Sequence, residues 1–171
     1  MNPLSDADHI DAIRAQWQAE RPELDTTAMG VVGRLLRAAR LAEDELTPRL
    51  RERGLQAGWF DVLAALRRSG RPYELNPSRL REAVMLTSGG MTKRIDQLER
   101  AGLVERRPDP DDRRGTLVRL TSSGKRLIDR AVDAHVANEE RVLEPLEAAE
   151  LRTLDDLLRK LLANLEIRGE A

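Results

Sequence analysis

The segment RPDPDDRRGTLVRLTSSG, residues 107–124, concentrates charge at one point of the chain. Arg113 and Arg114 stand side by side in it, after a run of aspartate and proline residues. Guanidinium groups bind phosphate through paired N–H donors, and a carboxylate can hold a neighbouring guanidinium in one orientation. The prolines stiffen the chain, and Asp109, Asp111 or Asp112 can accept hydrogen bonds from nearby backbone N–H groups. The segment therefore predicts a turn that presents oriented arginines to a polyanion.

A second set of polar residues lies on the helix predicted over Ser88–Ala101. The apolar face of this helix must pack on the domain, and it consists of Met91, Ile95, Leu98 and Gly102. The opposite face contains Lys93, Gln97 and Arg100, with Thr92 at its border. An ammonium group can bind a phosphate, and the amide of Gln97 can make a paired contact with adenine.

The start of this helix leaves its backbone accessible. Ser88 is the expected N-cap, and Gly89 and Gly90 have no side chains to hold a phosphate away from the backbone. The first N–H groups of a helix lack intrahelical partners and favour an anion. For an isolated helix, a merely solvated polar face would explain the same residues, so DNA contact is predicted only in the context of the neighbouring elements.

Those neighbours are typical of a winged helix-turn-helix. A short helix over residues 77–85 is joined by a tight connection to the Ser88–Ala101 helix, and two short strands, 103–107 and 116–121, follow. In such a unit the second helix enters the major groove and the hairpin tip reaches the flanking DNA. Arg113 or Arg114 at the tip would then reach the minor groove, where narrowness strengthens the negative potential.

Longer helices flank this unit. Helical periodicity predicts a first helix over residues 5–20, capped by Ser5 or Asp6, and a second from about residue 26 to near Gly54. A compact third helix, 59–68, is followed by a turn-rich connector. After the hairpin come a helix capped by Thr121, running to about Leu143, and a last helix over 148–167.

The net charge of −1 hides a basic middle. Residues 58–121 hold 13 Lys and Arg against 9 Asp and Glu, whereas the rest of the chain holds 16 against 21. A basic middle between acidic ends indicates a polyanion partner for the middle alone, although ordinary solvated surface explains the count equally well.

Composition excludes several other classes of protein. With 40% hydrophobic and 35% charged residues, the chain is typical of a globular, helix-rich protein. It has no cysteine, which excludes disulfides and thiolate metal sites. No apolar run reaches membrane length, and the N-terminus lacks the pattern of a signal peptide, so we expect a cytoplasmic protein with no membrane partner.

Enzymatic chemistry is not indicated. The two histidines, His9 and His135, are far apart, and the sequence has neither a glycine-rich phosphate loop nor an HExxH motif. We expect no catalytic residue, no metal site and no cofactor. A remaining alternative is a dimeric protein-interaction module that kept the fold and lost DNA binding. The retention of Lys93 and Gln97, and of both arginines at the hairpin tip, argues against that alternative.

Residues 86–124, LTSGGMTKRIDQLERAGLVERRPDPDDRRGTLVRLTSSG, closely resemble the MarR family of bacterial transcription regulators. The matching motifs are the serine-led helix, the LE..GLV.R passage into a strand, the D.DRR wing and LT..G. The resemblance implies a homodimer whose terminal helices interleave, with one winged domain on each side of the two-fold axis. It also implies repression at a pseudo-palindromic operator, relieved by a small ligand.

The last predicted helix supports a homodimer independently. It carries a leucine stripe too wide for a lone solvated helix, made up of Leu151, Leu154, Leu157, Leu158, Leu161, Leu162 and Leu165. Packing within one chain is the alternative, but two-fold partners commonly read two half-sites one DNA turn apart. We therefore predict a mainly α fold with a small β-hairpin wing, on a helical dimerisation scaffold. Its parts are N-terminal dimerisation helices (1–57), a winged helix-turn-helix DNA-binding domain (58–121) and C-terminal dimerisation helices (122–171).

A narrower similarity links the chain to the urate-responsive, PecS-like subgroup of this family. That subgroup has an extra N-terminal helix with a tryptophan, an aspartate early in the helix after the long dimer helix, and two arginines in the reading domain. By motif these positions correspond to Trp17, Asp61, Arg94 and Arg106. The similarity implies a site for a small anionic aromatic ligand such as urate, and a phenolic effector is the alternative. Each residue also has a simpler explanation, respectively interface packing, a favourable first-turn charge, a phosphate contact and an exposed strand position.

Overall fold

A computed structural model of the protein describes residues 7–56, 58–84, 90–112 and 115–169. The chain divides into two compact units, Met1–Glu45 and Leu46–Ala171. Within the described residues the elements are α1 (His9–Glu20), α2 (Thr27–Arg51), α3 (Trp59–Arg68), β1 (Glu74–Leu75), α4 (Pro77–Ala83), α5 (Met91–Arg100), β2 (Val104–Pro108), β3 (Thr116–Leu120), α6 (Ser122–Leu143) and α7 (Ala148–Gly169). The mainly helical fold with a small hairpin is therefore confirmed. None of the helices in these ranges has both the length and the apolar character needed to cross a bilayer.

The first unit begins α1 with a capping box. The Asp8 carboxylate accepts hydrogen bonds from the N–H groups of Ile10 and Asp11, at 2.8 and 2.9 Å, and Asp11 accepts one from the Asp8 N–H. The expected cap at Ser5 or Asp6 is wrong, because α1 begins at His9 and Asp8 is its N-cap, with Asp11 completing the reciprocal pair. Ser5 and Asp6 themselves lie outside the described residues.

Close packing joins α1 to the first part of α2. A Cβ atom on Gly33 would lie 3.2 Å from the Ile10 side chain, so glycine allows the two helices to approach. Arg34 of α2 forms ion pairs with Asp8 and Asp11, at 2.8 and 2.6 Å. Hydrogen bonding to Arg34 lowers the pKa of Asp8 to about 2.

The second unit is built on one apolar core that α3, α4, α5, the sheet and α6 share. α3 contributes Trp59, Val62, Leu63, Ala65 and Leu66. The other elements contribute Leu80, Met91, Ile95, Leu98, Val104, Val118, Leu120, Ile128 and Ala131. Burial of these side chains is the main stabilising term for a domain of this kind.

The sheet is antiparallel with the strand order β1-β3-β2, so β2 is an edge strand. β2 and β3 form the expected hairpin, in a register that pairs Val104 with Leu120 and Pro108 with Thr116. β1 was not expected, because two residues are too few to leave a periodic pattern in the sequence. It forms because Asn76 caps α4, with its side chain accepting from the Arg79 N–H at 2.8 Å, which leaves the preceding residues extended beside β3.

Candidate nucleic-acid interface

The helix α5 presents one apolar and one polar face, and the apolar face is fixed to the core. Met91, Ile95 and Leu98 are no more than 4% exposed. This confirms the predicted packing of those three residues. Gly102 was expected beside them, but it is exposed because it lies beyond the last turn of the helix.

The polar face of α5 is accessible to a large partner. Thr92, Lys93 and Arg100 are exposed, and Gln97 is half-buried. Arg100 Nε donates to the Asp96 carbonyl at 3.2 Å, which holds its side chain along the helix. This arrangement places one ammonium and one guanidinium group on the side opposite the core, with the Gln97 amide on its flank.

The N-terminus of α5 depends on a glycine. Gly90 is the N-cap residue and has a φ of +88°, a left-handed conformation that side chains disfavour. A Cβ atom there would meet no atom of the described residues within 4 Å, so the backbone conformation, and not crowding by those residues, is what requires glycine. The first N–H groups of the helix have no intrahelical acceptor. The expected N-cap at Ser88 is wrong, because α5 begins at Met91 and Gly90 is its N-cap. Ser88 and Gly89 themselves lie outside the described residues.

A tight turn connects the end of α5 to the wing. The Gly102 N–H donates to the Glu99 carbonyl and the Leu103 N–H donates to the Leu98 carbonyl, both at 2.9 Å. With Gly102 at a φ of +68°, these two bonds form a Schellman motif. The chain therefore enters β2 directly beside the helix that it has just left.

The start of α6 is anchored on this turn. Thr121 caps α6 by accepting from the Gly124 N–H at 3.0 Å. The hydroxyl groups of Thr121 and Ser123 both donate to the Gly102 carbonyl at 2.8 Å. A Cβ atom on Gly124 would lie only 2.0 Å from the Leu103 carbonyl oxygen, so no other residue fits there without movement of the backbone. This explains the LT..G pattern in physical terms, which the sequence alone did not provide.

The tip of the hairpin is held by hydrogen bonds of the kind that was predicted. Asp109 Oδ1 accepts from the Asp111 N–H at 3.0 Å. The Asp109 N–H donates to the Gly115 carbonyl at 3.1 Å, and the Gly115 N–H donates to the Asp112 carbonyl at 2.8 Å. Asp111 is exposed. The predicted contact residues Arg113 and Arg114 lie outside the described residues.

Three of the four candidate effector residues belong to the second unit. Asp61 is half-buried in the first turn of α3. Arg94 turns toward the beginning of that helix, since a Cβ atom on Gly58 would lie 2.5 Å from Arg94 Nε. Within the described residues, neither Asp61 nor Arg94 makes an ion pair. Trp17 belongs to the first unit and is 42% exposed.

The fourth candidate, Arg106, is already engaged. Its guanidinium group forms ion pairs with Asp96 and Glu99 of α5. Hydrogen bonding to Asp96 is the main cause of a raised Arg106 pKa, and Glu99 adds to it against the opposing effect of desolvation. Arg106 therefore joins β2 to one flank of α5. Arg94, on the other flank of α5, lies against the N-terminus of α3.

Comparison with known structures identifies the class of protein. The chain is similar to AbsC, a MarR family transcriptional regulator from Streptomyces coelicolor, with a TM-score of 0.75 and 26% identity over 84% of this chain and 97% of that one. It is also similar to a mutant of MarR from Escherichia coli, solved in complex with operator DNA, with a TM-score of 0.68 and 27% identity over 85% and 97% of the two chains. The fold is that of a winged helix-turn-helix DNA-binding regulator.

Sequence comparison identifies the family. The family model described as "MarR family" matches residues 53–115. The HTH-type transcriptional regulator PecS of Dickeya dadantii is 40% identical over 158 residues, which cover 91% of this chain and 95% of that protein. The chain belongs to the MarR family of transcriptional regulators.

Proposed function

We propose that the protein is a homodimeric repressor that binds a pseudo-palindromic operator in the cytoplasm and is released from it by a small anionic aromatic ligand such as urate. The observation that carries the DNA-binding part is the pair of faces on α5. One face is buried in the core, while Lys93 and Arg100 lie on the other, next to a hairpin with a hydrogen-bonded tip. A docked helix beside a charged wing suits the major groove and the flanking backbone.

Each predicted contact on α5 has a chemical role in this proposal. Lys93 and Arg100 bind phosphates, and Gln97 contacts a base edge, where adenine suits its amide. Thr92 and the N-terminus of α5 bind a phosphate, together with Ser88, Gly89 and Gly90, which precede the helix in the sequence.

The wing supplies the contacts beside the major groove. Arg113 and Arg114 reach the minor groove or its phosphates, and Asp111 orients them. The hydrogen bond from the Asp111 N–H to Asp109 Oδ1 supports a defined turn at the wing tip, just before the two arginines in the sequence.

In this proposal each predicted domain has its own role. Residues 58–121 read DNA, and the helices in 1–57 and 122–171 pair two copies of the chain. Exposed apolar side chains on α7 support the pairing, among them Leu157 at 60% and Leu165 at 51% exposure. Isolated monomers seldom expose a continuous apolar stripe of this kind.

Urate is the proposed effector. Arg106 holds the ligand anion, Trp17 lines the pocket, and the added negative charge repels Asp61. The shift of Asp61 and its helix then moves Arg94 and α5. Support comes from the similarity to the urate-responsive subgroup and from the position of Arg94 against the N-terminus of the helix that carries Asp61. The ligand must favour the DNA-free state, because equal affinity for both states shifts no population.

A gel mobility shift assay with the DNA upstream of the chain's own gene tests the proposal. We expect retarded bands at two salt concentrations, weaker at the higher one. The complex is then titrated with urate and, in parallel, with salicylate as a phenolic acid. Release by urate alone supports the effector, and release by salicylate alone refutes urate while the DNA-binding role stands. A protein that retards no fragment would be the interaction module that lost DNA binding.

A further inference from the structure

The recognition helix α5 and the wing strand β2 are joined by one arginine. Arg106 Nη2 donates to an oxygen of Asp96, and Nη1 donates to Glu99 Oε2. The Arg106 backbone N–H donates to the other oxygen of Glu99 at 3.1 Å. Three hydrogen bonds therefore connect two elements that the chain joins only through the turn at Gly102.

These hydrogen bonds reach α5 on one flank, where they can resist rotation of the helix about its axis. Successive residues of an α-helix are rotated by about 100°, so Asp96 and Glu99 lie on a flank of α5, between its buried face and its polar face. On the opposite flank, Arg94 packs against Gly58 of the neighbouring element. The apolar contacts hold the helix against the core, but contacts on the two flanks resist its rotation about its own axis.

The same bonds satisfy an exposed sheet edge. β2 is an edge strand, and the N–H of Arg106 faces away from β3, where Glu99 accepts its hydrogen bond. Side chains alternate along a strand, so Arg106 lies on the same face as Val104, which is buried against the core. Arg107 lies on the other face and is exposed.

These interactions are poorly placed to stabilise the whole fold. The side chains of Arg106, Asp96 and Glu99 are 32, 44 and 38% exposed, and ion pairs this exposed contribute little to stability. A paired base contact, in contrast, is lost when a helix rotates slightly, because both hydrogen bonds depend on direction. Loss of the hydrogen bonds between Arg106, Asp96 and Glu99 should therefore lower the preference for the operator sequence more than it lowers the stability of the fold.

We propose that Arg106 is a positioning residue for sequence recognition, which fixes the rotation of α5 relative to the wing so that both meet one DNA segment in register. The proposal rests on the DNA-binding part of the proposed function. It concerns the protein without effector, because Arg106 is also the residue proposed to hold the ligand anion. Arg106 acts through Asp96 and Glu99 and need not touch DNA itself.

The test compares the affinity of each variant for the operator with its affinity for a scrambled duplex at several salt concentrations. In the double variant Asp96→Asn/Glu99→Gln, two negative charges are removed, so electrostatics alone would strengthen binding to any DNA. We expect the ratio of operator to scrambled affinity to fall about tenfold instead, the size of one lost base contact. Arg106→Ala should lower the ratio similarly, with an unchanged salt slope and a nearly unchanged thermal midpoint. Arg107→Ala, which removes the same charge from the other face of β2, should keep the ratio.

Several outcomes would overturn the proposal. If Arg106→Ala weakens both duplexes equally and reduces the salt slope by about one, Arg106 is a phosphate contact. If the double variant retains the wild-type ratio and folds normally, the carboxylates do not position the helix. Either result leaves the wild-type protein a DNA-binding regulator. A wild-type protein without sequence preference would instead refute the proposed function, and this inference with it.

Discussion

The elements α3–α6 bury many of their apolar side chains within the chain, whereas the helices α1, α2 and α7 leave most of theirs at least partly exposed. Half of α3 is buried, and its leucines at 63 and 66 are fully enclosed. Within the described residues, α7 has no buried residue, and α2 has only Gly30. The helices at the two ends expose large apolar side chains, among them Val31, Val32, Leu36, Leu157, Leu162, Leu165 and Ile167.

This difference in burial indicates that the two regions depend on different contacts. The winged part of the chain, here the elements α3 to α6, completes its own core, so its stability depends on contacts within one chain. The terminal helices leave apolar area that gains about 25 cal/mol per Å² when it leaves water, which favours a second protein surface. A second copy of the chain satisfies both ends at once if the assembly has two-fold symmetry.

The largest effect is expected from breaking the proposed pairing. Leu157→Asp together with Leu165→Asp places two charges in a dry interface, at a cost of order 5 kcal/mol in total. Because both side chains are more than half exposed, the change should leave the single chain folded. We expect sedimentation to show a monomer and operator binding to fall at least about 100-fold, since one chain contacts only one half-site.

The matched control for this double variant is Ala149→Asp/Ala163→Asp. It adds the same charges to α7 on the face opposite the leucine stripe, where both alanines are exposed. The control should remain a dimer with operator affinity close to that of the wild type. Equal dissociation of both variants would contradict the pairing through the leucine stripe.

The next largest effect concerns the core of the winged part. Gly124→Ala forces a Cβ atom against the Leu103 carbonyl oxygen, and the backbone must shift. We expect a loss of about 3 kcal/mol in the free energy of unfolding, or roughly 6–12 °C in thermal midpoint. Gly54→Ala is the comparison, because a Cβ atom there meets no atom of the described residues within 4 Å, and only the positive φ is strained. Thermal denaturation measures both, and an unchanged midpoint for Gly124→Ala would show that the α6 anchor is loose.

The sequence predicted most of the helices, but fewer of the contacts between elements. The apolar face of α5 and the Thr121 cap of α6 follow from helical spacing and capping chemistry, and the structure confirms both. The contact between Gly124 and Leu103 could not be predicted, because it joins residues 21 positions apart through a turn with a specific geometry. The partners of Arg106 were missed for the same reason, since the Schellman turn decides which side chains of α5 face β2.

A smaller effect is expected on the polar face of α5, where two variants serve as controls for each other. Lys93→Ala should weaken binding to operator and scrambled DNA alike and reduce the salt slope by about one. Gln97→Ala should relax preference at one base pair of each half-site by roughly 1–3 kcal/mol. Competition with single-base operator variants measures the preference. If Gln97→Ala retains full sequence preference, the base contact belongs to another residue.

The smallest effect is expected in the first unit, at the ion pair between Asp8 and Arg34. Asp8→Asn keeps a capping side chain but removes the charge. Because the Asp8 pKa is lowered from 3.8 to about 2, its stabilising effect is complete above pH 3.8 and is lost as the pH falls through about 2. The difference in thermal midpoint between wild type and Asp8→Asn should therefore be small at neutral pH and vanish toward pH 2. The exposed Asp44→Asn serves as the control, and a difference that grows in acid would contradict the ion pair.

Sedimentation velocity of the full chain, alone and with a labelled operator duplex, tests most directly whether the winged part reads DNA while the terminal helices pair two copies. At low micromolar concentration we expect a species of about 39 kDa, twice the chain mass of 19.3 kDa, and one such dimer on each duplex. A folded 19.3 kDa monomer that binds the same duplex with full affinity and sequence preference would contradict this division of labour.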